Sequence, residues 1–294
     1  MFLTKTDYII IMEMSEKPIS IPDLLKLQEA GIETVFLVTW TNLNMPWEIF
    51  LNRIDSIVQE TSLKVMIILF YAPKYDWWLI PTEHSSPSHR IYRHINYQNL
   101  AVGRSIDRCL MDLLAKIDRT RVQLIFSGTL GGEFLWEDNS SSCPVPLETL
   151  IKFIIDRQRI CANQNGEVWM THHHMLGGNL VATTAINEAL YDAFPINEYE
   201  HYRIQYVQFA PTASIEMEEF NKKAILGNSR AKYFVGSEWA EGLKSNYEKA
   251  IEHGAYGFLT APMHTYVPYT QIEDWMLDNI KETVGKLSLV RNNK

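Results

Sequence analysis

Residues 34–71 read TVFLVTWTNLNMPWEIFLNRIDSIVQETSLKVMIILFY. Two short apolar runs, 34–40 and 64–71, flank a segment in which Ile49, Phe50, Ile54, Ile57 and Val58 recur at helical spacing. Asn44 and Pro46 supply a start signal for that helix, since proline's missing N–H is not needed in a first turn. The flanking runs lack polar alternation, which is the pattern of strands covered on both faces. The stretch therefore reads as strand, crossover helix and parallel strand.

The same unit recurs along the whole chain. Further strands are expected at 8–13 (YIIIME), 121–127 (RVQLIFS), 167–172 (EVWMTH), 203–209 (RIQYVQF), 232–238 (KYFVGSE) and 255–260 (AYGFLT). Ser20 with Pro22 opens the first helix and Gly31 closes it. Later helices are expected at 99–117, at 147–163 before Gly166, at 179–193, at 214–226 before Gly227-Asn228, at 243–253 before Gly254, and at 271–288. Eight strands and eight helices in strict order predict an α/β fold, a single (β/α)8 TIM barrel over residues 1–294. The alternative is an open α/β sheet. No linker, low-complexity segment or second domain interrupts the pattern, and barrels of about this length run as one domain.

Composition narrows the function classes. The chain is 46% hydrophobic and 21% charged with a net charge of −8, and no basic run is present. Nucleic acid and anionic membranes both require Lys/Arg clusters, so neither is an expected partner. Cys109, Cys143 and Cys161 form no metal spacing and no even framework, and they suit a reducing compartment. The first residues, MFLTKTDYIIIMEM, are broken by Glu13 and do not make a signal-peptide core. No run approaches the roughly 18 apolar residues of a membrane span. A cytoplasmic location is expected.

The strand-to-helix connections at 72–98 and 128–146 are long, and in barrels such loops build the active site at the C-terminal face. Two glutamates stand there. Glu133 follows strand 4 in SGTLGGEFLWED, and Glu238 ends strand 7 in KYFVGSEWAEG. Three units apart on a closed ring, they face each other across the mouth and could approach to roughly 5 Å, the separation suited to a retaining double displacement. One carboxyl must keep its proton for the leaving group while the other attacks as the anion. Proximity of like charges helps to separate their pKa values. Gly131 and Gly132 permit a tight backbone path beside Glu133. A single glutamate at a loop start is more often solvated or capping; it is the pair, on these two strands, that points to catalysis.

This layout resembles the clan A superfamily of glycoside hydrolases across about residues 7 to 290. The resemblance implies that Glu133 is the acid/base, that Glu238 is the nucleophile, that the substrate is a carbohydrate and that no cofactor is needed. The clan usually has Asn immediately before the acid/base glutamate, contacting the sugar 2-hydroxyl; this chain has Gly132 there.

Aromatic residues gather near the same strand ends: Trp40, Tyr71, Trp77, Trp78, Trp136, Trp239 and Tyr266. Flat sugar faces stack on such rings, although about half of these residues are expected only to pack loops onto the barrel. Glu13, Gln208, His172, His173, His174 and His264 could hydrogen-bond a polyol, and Arg90 and Arg93 are expected near the pocket edge. His172-His173-His174 is a poor metal grip, because adjacent residues on an extended chain face opposite ways. No catalytic metal is expected. The turns after strands 7 and 8 are poor phosphate cradles, and no G-x-S-x-G elbow is present. Two other readings stay open: a non-catalytic carbohydrate-binding barrel, which Gly132 favours, and a barrel lyase or isomerase using Glu133 or His172 as base. Nothing in the sequence points to one sugar or one oligomeric state.

Overall fold

Each apolar run becomes a strand and each amphipathic stretch that is described becomes a helix. The computed structural model describes residues 9–14, 18–38, 47–68, 77, 96–125, 146–165, 167–174, 185, 188–190, 192–194, 201–208, 232–238, 257–261, 263–264, 267–268 and 272–292. The strands are β1 (Ile9–Met14), β2 (Thr34–Val38), β3 (Lys64–Ile68), β4 (Val122–Ile125), β5 (Glu167–His174), β6 (His201–Gln208), β7 (Lys232–Glu238) and β8 (Gly257–Ala261). All eight expected strands are present. The helices are α1 (Ile21–Glu29), α2 (Trp47–Glu60), α3 (Leu100–Lys116), α4 (Leu147–Asn165) and α5 (Asp274–Asn292). Residues 185, 188–190 and 192–193 are also helical, within the helix expected at 179–193. The helices expected at 214–226 and 243–253 lie outside the described residues.

The strand order is β4-β3-β2-β1-β8-β7-β6-β5, and every pairing in this sheet is parallel. Each consecutive pair is adjacent except β4 and β5, and the first strand pairs with the last. Helix α4 packs against both β4 and β5. The far ends of the chain meet in the helix layer as well: a Cβ on Gly31, just past α1, would lie 3.3 Å from Val284 of α5.

Local chemistry sets the helix ends. Ser20 caps α1 by accepting from the Asp23 backbone N–H at 3.2 Å. At the other end Ile32 N–H donates to Leu27 O and Gly31 N–H to Gln28 O, both at 3.0 Å. That double bond needs a left-handed residue between, and Gly31 has φ 104°. Asn99 caps α3 by accepting from Ala101 N–H at 2.9 Å. Carbonyls in and just after the last turn of α2 are met by Arg121, the residue before β4: it donates to Val58 O, Thr61 O and Leu63 O at 2.9, 2.8 and 2.6 Å.

Helices α3 and α4 approach at Gly103, where an added Cβ would sit 2.6 Å from Arg157 Nη2. Buried Arg157 pairs with Asp107 at 3.0 Å, donates to Phe153 O, and lies 3.9 Å over the Phe153 ring. Burial pushes the Asp107 carboxyl up, and Arg157 opposes that rise.

Register assigns the two faces of the sheet, because partners across parallel strands share a face and successive residues alternate. Ile9, Ile11 and Glu13 share a face with Val35, Leu37, Val65, Ile67, Val122 and Leu124. Ile10 and Met12 share the other with Thr34, Phe36, Met66 and Gln123. Glu13 meets Arg53 of α2, so the first face is the one that carries helices. Both faces are buried: Ile11 and Val65 on one, Ile10, Phe36, Met66 and Gln123 on the other, are each at most 1% exposed.

Candidate functional site

The C-terminal strand ends form the edge at which the sequence places the site. Glu238 is the last residue of β7 and registers with Ala261 of β8. Two residues earlier, Gly236 registers with Leu259, and Leu259 registers with Ile10 of β1. Glu238 therefore belongs to the face of Ile10, opposite the helix-bearing face of Glu13.

The same rows sort the residues of β5 and β6. Gly236 registers with Val207, and Val207 with His173. His173 and Gln205 thus share the face of Glu238. His172 follows the other row, through Tyr206, Val235 and Phe258 to Ile9, and Gln208 registers with His174 in that parity. His172 and Gln208 therefore lie on the helix-bearing face. The sequence offers His172, His173 and His174 alike and passes over Gln205; the signal that separates them is inter-strand register. His264 sits in β9 (Met263–His264), which pairs antiparallel with β10 (Val267–Pro268) directly after β8. That hairpin was not expected, and it places His264 beyond the end of β8.

Glu13 is the described rim residue with the fullest geometry. It is 2% exposed. Arg53 Nε donates to its Oε1 at 2.7 Å and Arg53 Nη2 to its Oε2 at 2.5 Å. Ile19 N–H donates to Oε2 at 3.2 Å, and Arg53 Nη2 also donates to Ile19 O at 2.6 Å. Burial drives the carboxyl up from its ordinary range; the hydrogen bonds and charge of Arg53 and the Ile19 N–H oppose that rise. Both oxygens are held by the protein, so the pair ties the end of β1 to the start of α1 and to α2.

Trp77 is 52% exposed. Glu133, Trp40, Tyr71, Trp78, Trp136, Trp239 and Tyr266 lie outside the described residues, as do Arg90, Arg93 and Cys143. Cys109 and Cys161 are buried free thiols. Among the described residues no group of three or more His, Cys, Asp or Glu could hold a metal ion, and no helix is long and apolar enough to cross a membrane.

The chain is similar in fold to a GH30 endoxylanase from Clostridium papyrosolvens, at TM-score 0.56 and 8% identity over 97% of this chain and 72% of that one. A GH10 endoxylanase retrieved from a sugarcane soil metagenome matches at TM-score 0.53 and 10% identity, covering 94% and 90%. A xylose isomerase domain protein from Planctomyces limnophilus matches at TM-score 0.47 and 12% identity, covering 97% and 98%. At these identities the likeness is one of α/β-barrel fold and does not choose among activities. No protein-family model matches the chain. No curated protein matches it in sequence.

Proposed function

We propose that the sheet closes into a (β/α)8 barrel and that the protein is a retaining glycoside hydrolase of that fold. Closure is supported by direction and burial. Right-handed crossovers that all step the same way round put every helix on one face. The other face carries Ile10, Phe36, Met66 and Gln123, all buried. An open sheet would leave that face to solvent, whereas a closed one folds it inward. With β1 already against β8, the remaining seam is β4–β5, which α4 spans.

The observation that carries the activity is the position of Glu238, at the C-terminal end of β7 on the face opposite Glu13. In a closed barrel that face lines the mouth. Glu238 is the nucleophile: its carboxylate bonds to the anomeric carbon as the bond to the leaving oxygen breaks. Glu133, three units earlier, donates its proton to that oxygen. It then takes a proton from the water that displaces Glu238, so configuration is retained. The Trp and Tyr residues of the strand-to-helix connections, Trp77 among them, stack on the sugar. No step calls for a metal or cofactor. Location in the cytoplasm would fit imported oligosaccharides or intracellular glycoconjugates. Gly132, where the clan has Asn, favours the second reading, a barrel that binds carbohydrate without cleaving it.

The test is a pair of substitutions. Glu238→Gln removes the attacking group, and turnover falls by several orders of magnitude. Glu133→Gln removes the proton donor, so poor leaving groups suffer most while activated aryl glycosides keep much of their first step. Azide then rescues Glu133→Gln with retained stereochemistry and gives the inverted product with Glu238→Gln. Equal losses independent of the leaving group overturn the assigned roles. A wild-type protein that binds glycans but turns over no aryl glycoside establishes the binding reading instead.

A further inference from the structure

Register assigns further residues to the face of Glu238. On β1–β3 that face carries Ile10, Met12, Phe36 and Met66, with Thr34 and Lys64 at the N-terminal end. On β5 and β6, next to β7, it carries Thr171, His173, Arg203 and Gln205, together with Trp169 and Val207. The row through His173 and Val207 reaches Gly236, two residues before Glu238 in β7. Arg203 registers with Lys232, the first residue of β7, and so lies at the N-terminal end of the face. His173 and Gln205 are nearer the C-terminal rim, where a substrate enters. An imidazole and a carboxamide each offer both donor and acceptor, which matches the two-way hydrogen bonding of a hydroxyl.

We infer that His173 and Gln205 are substrate-binding residues that hold the hydroxyl groups of a sugar placed against Glu238, in place of His172 and Gln208. The inference rests on the glycoside hydrolase reading and sharpens it to one side of the mouth.

The test compares His173→Ala and Gln205→Ala with Tyr206→Ala, whose position shares the helix-bearing face with His172. Each is read for kcat/KM on the aryl glycosides that the wild type cleaves, for Kd of an iminosugar by calorimetry, and for Tm. His173→Ala and Gln205→Ala are expected to lower kcat/KM by about 10- to 100-fold, the size of one or two lost hydrogen bonds to substrate, and to weaken the iminosugar likewise. Their Tm stays near that of the wild type. Tyr206→Ala is expected to lower Tm and leave kcat/KM almost unchanged. His173→Asn, which keeps a donor and an acceptor, recovers part of the loss and separates a substrate contact from a packing role. An active wild type whose kcat/KM and iminosugar Kd are untouched by both substitutions overturns the inference alone. A wild type that binds the iminosugar without turnover overturns the hydrolase reading, and the Kd values then decide the inference. A wild type that does neither overturns both.

Discussion

Replacing Arg53 by Leu leaves a carboxylate stranded in the protein. Glu13 is 2% exposed, and Arg53 supplies two of the three hydrogen bonds to its oxygens, at 2.7 and 2.5 Å. Removing one partner of a buried pair costs about 3–5 kcal/mol, because the remaining charge keeps its desolvation penalty and loses its compensation. At about 2 °C per kcal/mol for a chain of this size, Tm is expected to fall by roughly 6–10 °C. The loss depends on pH, with a definite sign. Burial raises the folded carboxyl above its unfolded value, and Arg53 opposes the rise. A raised carboxyl favours the folded state below the unfolded value, near 4.3, and that contribution is lost as pH rises through the folded value. Without Arg53 the folded value climbs further, so the gap to wild type is small near pH 4 and widens toward neutrality. Removing both charges, in Glu13→Leu/Arg53→Leu, recovers much of the single-variant loss, since no unpaired ion is left. Urea melts of the four proteins at pH 4, 5.5 and 7 measure each quantity. A single-variant cost under about 1 kcal/mol at pH 7, or a double variant as costly as the sum of the singles, refutes the reasoning.

Gly31→Ala forces a Cβ into φ 104° and to 3.3 Å from Val284; a loss of at least about 1 kcal/mol is expected in denaturant melts. Gly103→Ala brings a methyl to 2.6 Å from Arg157 Nη2, which Asp107 and the Phe153 ring hold in place. Overpacking of about 1–3 kcal/mol should appear in the same melts. Arg121→Met strips three carbonyls, one in the last turn of α2 and two just after it, of their charged donor. A cost of roughly 2 kcal/mol is expected, with faster hydrogen exchange at the C-terminal turn of α2. Asn99→Ala removes the cap of α3 and should cost about 1 kcal/mol by thermal melt.

Much of the fold is legible in the sequence because its signals are local. The runs YIIIME, TVFLVTW and KVMIILFY announce strands by apolar density alone, and Ser20, Asn99 and Gly31 mark helix ends through bonds within a few residues. The C-terminal position of Glu238 on β7 follows from the same reading. The faces do not. Strands apolar on both sides show no alternation to tell one face from the other, so no pattern within HHH or RIQYVQF separates His173 from His172 or Gln205 from Gln208. Glu13 likewise looked available at a strand end until Arg53, 40 residues on, proved to hold it. Those facts are set by register between strands and by contacts distant in sequence. A shift of one residue in pairing would exchange every residue's face. The sequence by itself determined which segments extend and which coil; only the tertiary structure decided which residue of each adjacent pair turns to the helices and which to the face of Glu238.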